Sequence, residues 1–172
     1  MDNNACRRAV IAVGLTLLVA ACGSSSPTAA AKTGMETFRA STTDLSAINS
    51  RSDIVSVTAS GLAADSGTVP LGGNSTLVTI RLRGGDVKVS HSRGIPHQHI
   101  GKACAVSFAD TGPYKITGGT GKYAGATGHG TSTVSFSGTV PKFSNGQCDI
   151  NSSKLTRARE IFIARGPMTL KS

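Results

Sequence analysis

Four histidines are the side chains best suited to metal chemistry, and three of them lie close together in the sequence. His97 and His99 are separated by one residue, and His91 lies shortly upstream. In an extended segment, His97 and His99 would project to the same side, where zinc or copper could bind them. No acidic or thiolate ligand lies beside them, however, and Pro96 predicts a loop. We therefore favour a solvated loop, and we expect neither a metal site nor another cofactor, at these residues or at His129.

Acid–base catalysis would require carboxyl groups at a defined spacing. Most acidic residues beyond the N-terminal segment fall at predicted strand ends or turns: Asp53, Asp65, Asp86, Asp110, Asp149 and Glu160. No two of them are spaced in a way that indicates one acid and one base. The sequence also lacks the Gly-x-Ser-x-Gly element that presents a nucleophilic serine. We assign no catalytic residue, and the sequence favours a protein that is not an enzyme.

The N-terminus has the pattern of an export signal. Arg7 and Arg8 precede an apolar run, Ala9 to Ala21, that is shorter than a typical membrane span. The run ends at Cys22-Gly23 after small residues, which resembles the lipobox of bacterial lipoproteins. The resemblance implies cleavage before Cys22 and lipid on that cysteine, which would anchor the exported protein at the outer face of the cell membrane, in the periplasm or at the cell surface. The alternative is an ordinary secretory signal, with Cys22 incidental.

The remaining cysteines predict a disulfide. If Cys6 leaves with the signal and Cys22 carries lipid, Cys104 and Cys148 are left in an exported domain with one available pairing. Such a bond would close a long loop and stabilise the domain by about 3–4 kcal/mol. The alternative, a catalytic thiol, lacks a clear partner histidine.

The fold is best indicated by the glycine-rich stretch from Thr117 to Val140. Its first part combines glycines with Thr120 and Tyr123, and this density of glycine predicts a tight turn and a sharply bent strand. From Gly130 onward the residues alternate strictly. Ser132, Val134 and Phe136 share one face with Val140, and hydroxyl side chains occupy the other. The pattern predicts a half-buried antiparallel strand.

This stretch resembles the signature of the allene oxide cyclase and dirigent barrel superfamily, and it is most similar to the small secreted bacterial members. The resemblance covers about Ser56 to Leu170. It implies an all-β fold, an eight-stranded antiparallel barrel of the calycin-like type. The family's catalytic residues lie outside the glycine motif, so none is assigned here. The motif positions are Gly118, Gly119, Thr120, Gly121, Tyr123, Gly125 and Gly128.

The chain divides into three parts: a signal peptide at 1–21, a flexible tether at 22–50, and a barrel domain at 51–172. The tether is rich in Ala, Ser and Thr and shows no clear periodicity. Glycine turns separate the strands of the domain, with Gly84-Gly85 as a two-residue hairpin turn. The predicted strands are Asp53–Ser60, Ser75–Arg83, Asp86–Ser90, Lys102–Phe108, Tyr114–Thr117, Gly130–Val140, Arg159–Ala164 and Met168–Leu170.

The chain is strongly basic, with a formal net charge of +9. At a cell surface this charge would attract anionic lipid head groups or anionic wall polymers. The sequence contains only two tyrosines and five phenylalanines for base stacking, and it has no nucleic-acid-binding motif, so we do not expect nucleic acid as a partner. The alternative is a basic surface without a dedicated partner.

Three functional hypotheses follow: a lipid-anchored module that binds a small apolar ligand in the barrel mouth, a cyclase or dirigent-like enzyme, and a structural or adhesive envelope protein. An interior cavity would favour the first two, and a buried carboxylate with a perturbed pKa in that cavity would favour the enzyme. A solid core would favour the third, filled by Val78, Ile80, Val106, Phe108, Val134, Phe136 and Ile161. We favour the binding module.

Overall fold

The computed structural model describes residues 30–44, 54–71, 76–92, 94, 96–152 and 154–171. Two short 3-10 turns, Lys102–Cys104 and Gly121–Tyr123, interrupt a structure made almost entirely of strands. Within these residues, no helix has the length and apolar character needed to cross a membrane. The strands of this part of the chain are β1 (Lys32–Thr42), β2 (Ile54–Gly61), β3 (Asp65–Pro70), β4 (Leu77–Leu82), β5 (Gly85–His91), β6 (His97–Ile100), β7 (Ala105–Gly119), β8 (Thr127–Thr139) and β9 (Thr156–Leu170).

Eight of these strands form a closed antiparallel barrel, as the sequence predicted. Their order is β5-β4-β3-β2-β1-β9-β8-β7, and the end of β7 pairs back to β5. Closure leaves these strands without free edges along most of their length. The short β6 pairs with the first part of β7, in line with β5.

Alternation along the strands fills the barrel interior, and the predicted faces of several strands are confirmed. In β2, Val55, Val57 and Ala59 are buried, while the residues between them are exposed. Ile80 and Leu82 of β4 and Val87 and Val89 of β5 are also buried. These β-branched and aliphatic side chains suit a pleated surface with one apolar face.

The predicted tether contains a barrel strand, so this part of the prediction was wrong. Residues Lys32–Thr42 form β1, which pairs with β2 on one side and with β9 over its full length on the other. The inward residues of β1 include Glu36, Phe38 and Ala40, of which only Phe38 is a large apolar side chain. A strand with so little apolar contrast gives no clear periodicity. The signal peptide and the predicted lipid attachment at Cys22 lie outside the described residues.

Further strand and turn predictions need correction. The strands predicted at Lys102–Phe108 and Tyr114–Thr117 belong to one continuous strand, β7, and the two short strands predicted near the C-terminus are one continuous strand, β9. The strand β3 was not predicted. The hairpin turn between β4 and β5 consists of Arg83 and Gly84, because Gly85 already pairs with Leu82. Cys104 lies in a 3-10 turn immediately before β7 rather than in the strand.

Candidate functional site

The glycine motif closes one end of the barrel. Its 3-10 turn, Gly121–Tyr123, follows β7 and places the Tyr123 side chain in the core, with no exposed surface. The Tyr123 hydroxyl donates a 2.7 Å hydrogen bond to Asp65 Oδ2 at the start of β3. Lys122 Nζ lies 3.0 Å from the same oxygen and also donates to the carbonyl of Ala63. Tyr123, Lys122 and Asp65 therefore form a hydrogen-bonded cluster, the plug, at this end of the barrel.

Two motif glycines are required by close backbone contacts. A Cβ atom at Gly119 would meet the carbonyl oxygen of Asp86, and would lie 2.6 Å from that of Tyr123. Gly121 has a φ of +56°, and a Cβ there would meet the carbonyl oxygen of Gly84. Residues with side chains cannot occupy these positions without moving the backbone. The motif is thus explained by closure of the barrel.

The ionisable groups of the plug satisfy one another. Hydrogen bonds from Tyr123 and Lys122 hold the pKa of the Asp65 carboxyl well below its ordinary value of 3.8. Burial raises the pKa of Tyr123 to about 12, and the hydrogen bond to Asp65 acts in the same direction. Asp65 also accepts hydrogen bonds from the backbone of Ser66 and Gly84. Because its polar groups are already paired with one another, the plug is suited to a structural role.

A cavity of about 290 Å³ occupies the opposite half of the barrel. It lies between the ends of β3 and β5 and the first halves of β7 and β9. Most of its lining is apolar: Val69, Pro70, Leu71, Val78, Ile80, Val89, Phe108, Val134 and Phe162. The barrel is therefore not filled solid by the side chains that the sequence assigned to a packed core.

The face of β9 at the cavity differs from the prediction. Glu160 and Phe162 line the cavity, so the alternate residues Ile161 and Ile163 point away from the interior. Both isoleucines are half-buried on the outer face. In β8, by contrast, Ser132 and Val134 line the cavity, on the face that the alternation predicted.

Polar groups from several strands meet in this apolar cavity. Asp110 of β7 accepts a 2.7 Å hydrogen bond from the backbone N–H of Gly94, which fixes one of its carboxylate oxygens. The Ser132 hydroxyl donates to the carbonyl of Gly112 at 3.3 Å. The other polar lining residues are His91, Ser92, Tyr114 and Glu160.

Glu160 differs from Asp110 because its carboxyl group has no hydrogen-bond partner among the described residues. Burial raises the pKa of its carboxyl, and no hydrogen bond or ion pair joins the side chain to any residue that the structure describes. Its neighbours in the sheet are Thr42 of β1 and Phe136 of β8, neither of which carries a charge. A carboxylate in such surroundings gains stability from any donor or cation that enters the cavity.

Two buried polar side chains, Tyr114 and Glu36, lie deeper in the barrel. Tyr114, with 3% of its surface exposed, is the lining residue of β7 nearest to the closed end, and its ring packs over Gly130. The Tyr114 hydroxyl and Glu36 Oε1 are buried without a hydrogen-bond partner among the described residues. Glu36 Oε2 accepts a 2.6 Å bond from the N–H of Ala63. Burial raises the pKa of both side chains, and the charge of Glu36 raises that of Tyr114 further.

Charge is distributed unevenly between the interior and the exterior. Every lysine and arginine that the structure describes is exposed, and none of them lines the cavity. Three acidic residues, Glu36, Asp110 and Glu160, point inward instead. A strongly basic protein therefore encloses a cavity whose ionisable lining is acidic, apart from His91 and Tyr114.

The predicted disulfide is present: Cys104 and Cys148 are bonded, with an S–S distance of 2.01 Å. It joins the turn before β7 to the segment between β8 and β9.

The motif glycines and Tyr123 lie together at the closed end, away from the cavity. The sequence drew attention to this motif, but it gave no signal for Glu36 or Tyr114, and it placed Asp110 and Glu160 at strand ends without a role.

The histidines do not converge on a metal site. The predicted loop at His97 and His99 is the short strand β6, in which both residues are exposed on the same side. His91 lies at the cavity, and His129 is exposed on β8. Across the described ranges, no three His, Cys, Asp or Glu side chains form a group that could hold a metal ion.

No family model, curated protein or solved structure matches this chain. Functional conclusions therefore depend on the chemistry of the cavity, because a barrel fold by itself hosts many unrelated functions.

Proposed function

We propose that this protein binds a small, mainly apolar molecule inside its barrel. The observation that carries the proposal is the cavity of about 290 Å³, whose walls are mostly valine, leucine, isoleucine and phenylalanine side chains. Ligand sites typically combine such walls with a few polar groups that orient the ligand. Here Asp110, Ser132 and Glu160 supply those polar groups.

The cavity volume limits the size of the ligand. At roughly 30 Å³ for each non-hydrogen atom, the share that a water molecule takes in the liquid, the cavity holds about ten such atoms. This corresponds to an aromatic ring with a short chain. A larger molecule would have to extend beyond the cavity.

The N-terminal sequence pattern supports binding at the cell envelope. In our proposal, lipid on Cys22 anchors an exported barrel of the allene oxide cyclase and dirigent type to the cell envelope, as the resemblances imply. The exposed lysines and arginines suit a position beside anionic lipids or wall polymers. The ligand would then be captured outside the cytoplasm.

The test is native mass spectrometry of the chain from Ser24 onward, exported behind an ordinary cleavable signal peptide and purified without detergent. We expect an excess mass over the denatured protein, and we expect it to disappear in the Val134→Trp variant, whose indole would fill the cavity. Thr133→Trp is the matched control, because Thr133 is its neighbour on the outer face of β8. Equal native and denatured masses, together with no uptake of added aromatic probes, would refute the proposal.

A second candidate function, a cyclase or dirigent-like enzyme acting on an apolar substrate, is favoured by Glu160. A carboxyl group whose pKa is raised by burial and which faces an apolar cavity is a candidate for exchanging a proton with a bound substrate. The two functions differ in the fate of the ligand. Binding returns the recovered ligand unchanged after incubation. Catalysis converts it to a product of the same or altered mass, and Glu160→Gln should then abolish conversion while binding persists.

A further inference from the structure

The lining of the cavity has a charge character opposite to that of the protein surface. Among the lining residues that the structure describes, the carboxyl groups come from Asp110 and Glu160, and none is a lysine or arginine. An anion entering this described lining would meet two carboxylates and no strong cation. An entering cation would be attracted by both, in surroundings where low polarity strengthens electrostatic interactions.

The two carboxyl groups differ in their hydrogen bonding. Asp110 is already bonded to the Gly94 N–H, whereas Glu160 has no partner among the residues that the structure describes. They lie on β7 and β9, with β8 between them. Asp110 lies level with Val134 and Phe162, so Glu160 is offset from it by two residues along β9. With strands about 4.8 Å apart and a rise of about 3.4 Å per residue, the two Cα atoms are separated by roughly 12 Å along the barrel wall. One small ligand can therefore contact Glu160 with its charged end while its body fills the remaining space.

Aromatic side chains add to the preference for a cation. Phe108 and Phe162 line the cavity together with Tyr114. The faces of aromatic rings attract ammonium groups, and this attraction is strongest where water is excluded. The same rings also accept the apolar body of a ligand.

We propose that the ligand of this cavity is an apolar amine, with its protonated ammonium group paired to Glu160 and its hydrocarbon part against the apolar wall. The inference rests on the proposed binding function and adds the chemical class of the ligand. The ammonium group gives Glu160 the charge-assisted hydrogen bond that it lacks in the free protein. Carboxylates and phosphates are excluded from the cavity, even though the basic exterior attracts them.

The test compares three probes of similar size that differ in one group: 2-phenylethylamine, 2-phenylethanol and phenylacetate. Binding to the chain from Ser24 onward is measured by calorimetry at about pH 8. A primary amine, with a pKa near the lysine value of about 10, is protonated there. We expect the amine to bind about tenfold more tightly than the alcohol, and the carboxylate to bind more weakly than either.

Variants separate the role of Glu160 from a general effect of charge. Glu160→Gln keeps the shape of the side chain and should weaken amine binding about tenfold while leaving the alcohol unchanged. Asp149→Asn is the control, since it removes one acidic group that does not line the cavity. It should alter the affinity of neither probe by more than about twofold, because a solvated charge outside the cavity is screened.

The outcomes distinguish this inference from the proposed function. If alcohol and amine bind equally and Glu160→Gln changes neither, or if the carboxylate binds most tightly, the amine inference is refuted and the apolar binding function stands. If none of the three probes binds, or if Val134→Trp leaves binding unchanged, both proposals fail.

Discussion

Strand β1 is essential to the barrel, and a chain that begins at Arg51 should not fold. Such a chain lacks all eleven residues of β1, which hydrogen-bonds to β2 on one side and to β9 on the other. It also lacks Phe38, which is fully buried. Truncating a buried phenylalanine to alanine costs about 3–5 kcal/mol by itself. Because the total stability of a domain is about 5–15 kcal/mol, loss of Phe38 and of two strand pairings should exceed it.

The assay is denaturant unfolding, followed by circular dichroism, of exported chains that begin at Ser24 or at Arg51. The longer chain should unfold cooperatively, and the shorter chain should show no transition. Within the longer chain, Phe38→Ala should lower the free energy of unfolding by about 3–5 kcal/mol. Arg39→Ala is the matched control: it is the exposed neighbour of Phe38 and should change the free energy by about 0.5 kcal/mol or less.

One result would refute this reasoning. If the chain starting at Arg51 unfolds cooperatively, with a melting temperature within about 5 °C of the longer chain, then β1 contributes less than about 1 kcal/mol. In that case the barrel would have to close directly between β2 and β9, and Phe38 would not be a core residue.

Four further predictions concern the covalent, backbone and ionic features of the chain. Cys148→Ser should lower the free energy of unfolding by about 4 kcal/mol, the chain-entropy value for a 44-residue separation, and the wild-type protein should weigh two hydrogens less than its reduced form. Gly119→Ala should destabilise the barrel by more than about 2 kcal/mol, whereas Gly34→Ala, where the added methyl meets only ordinary contacts, should cost less than about 1 kcal/mol, as measured by denaturant unfolding. The folded state holds the pKa of Asp65 below its unfolded value of 3.8, so the ionised carboxylate stabilises the fold above that pH and this stabilisation is lost on acidification. The difference in melting temperature between wild type and Asp65→Asn should therefore be smaller at about pH 3 than at about pH 7. Cys22→Ser should abolish both lipid attachment and cleavage before residue 22, so the variant should lack the mass of the lipid and retain residues 1–21; a wild-type mass without lipid would show that Cys22 carries none.

The strands that could be predicted are those with strong apolar contrast between their faces. In β2, β4 and β5, valine, isoleucine or leucine alternates with polar residues, so the period of two is clear. In β1, the buried positions are Glu36, Phe38 and Ala40, and the contrast is lost. The closed barrel compensates, because β1 is held by neighbours on both sides. Such long-range pairing is not visible in a local pattern.

The cavity was harder to predict because polar side chains can point into it, whereas sequence patterns assign polar side chains to the outer face of a strand. In β9, Ile161 and Ile163 suggest an apolar inner face, yet Glu160 and Phe162 are the residues that face the interior. A carboxyl group can point inward there because it faces the open space of the cavity rather than packed apolar side chains. Asp110 can point inward for a further reason, because the backbone N–H of Gly94 supplies a hydrogen bond.

The separation of the two ends of the barrel explains why a motif can indicate the fold without indicating the ligand. At the closed end, Gly119 and Gly121 are constrained by backbone contacts and Tyr123 by its hydrogen bond to Asp65, so that small changes there would disrupt closure. The cavity is built by side chains from β3, β4, β5, β7, β8 and β9, most of them outside the motif. Replacing Glu160 or Val134 changes the chemistry of the cavity without touching the contacts of the plug. Under the proposed binding function, the class of ligand is therefore set by the residues that line the cavity and not by the glycine motif.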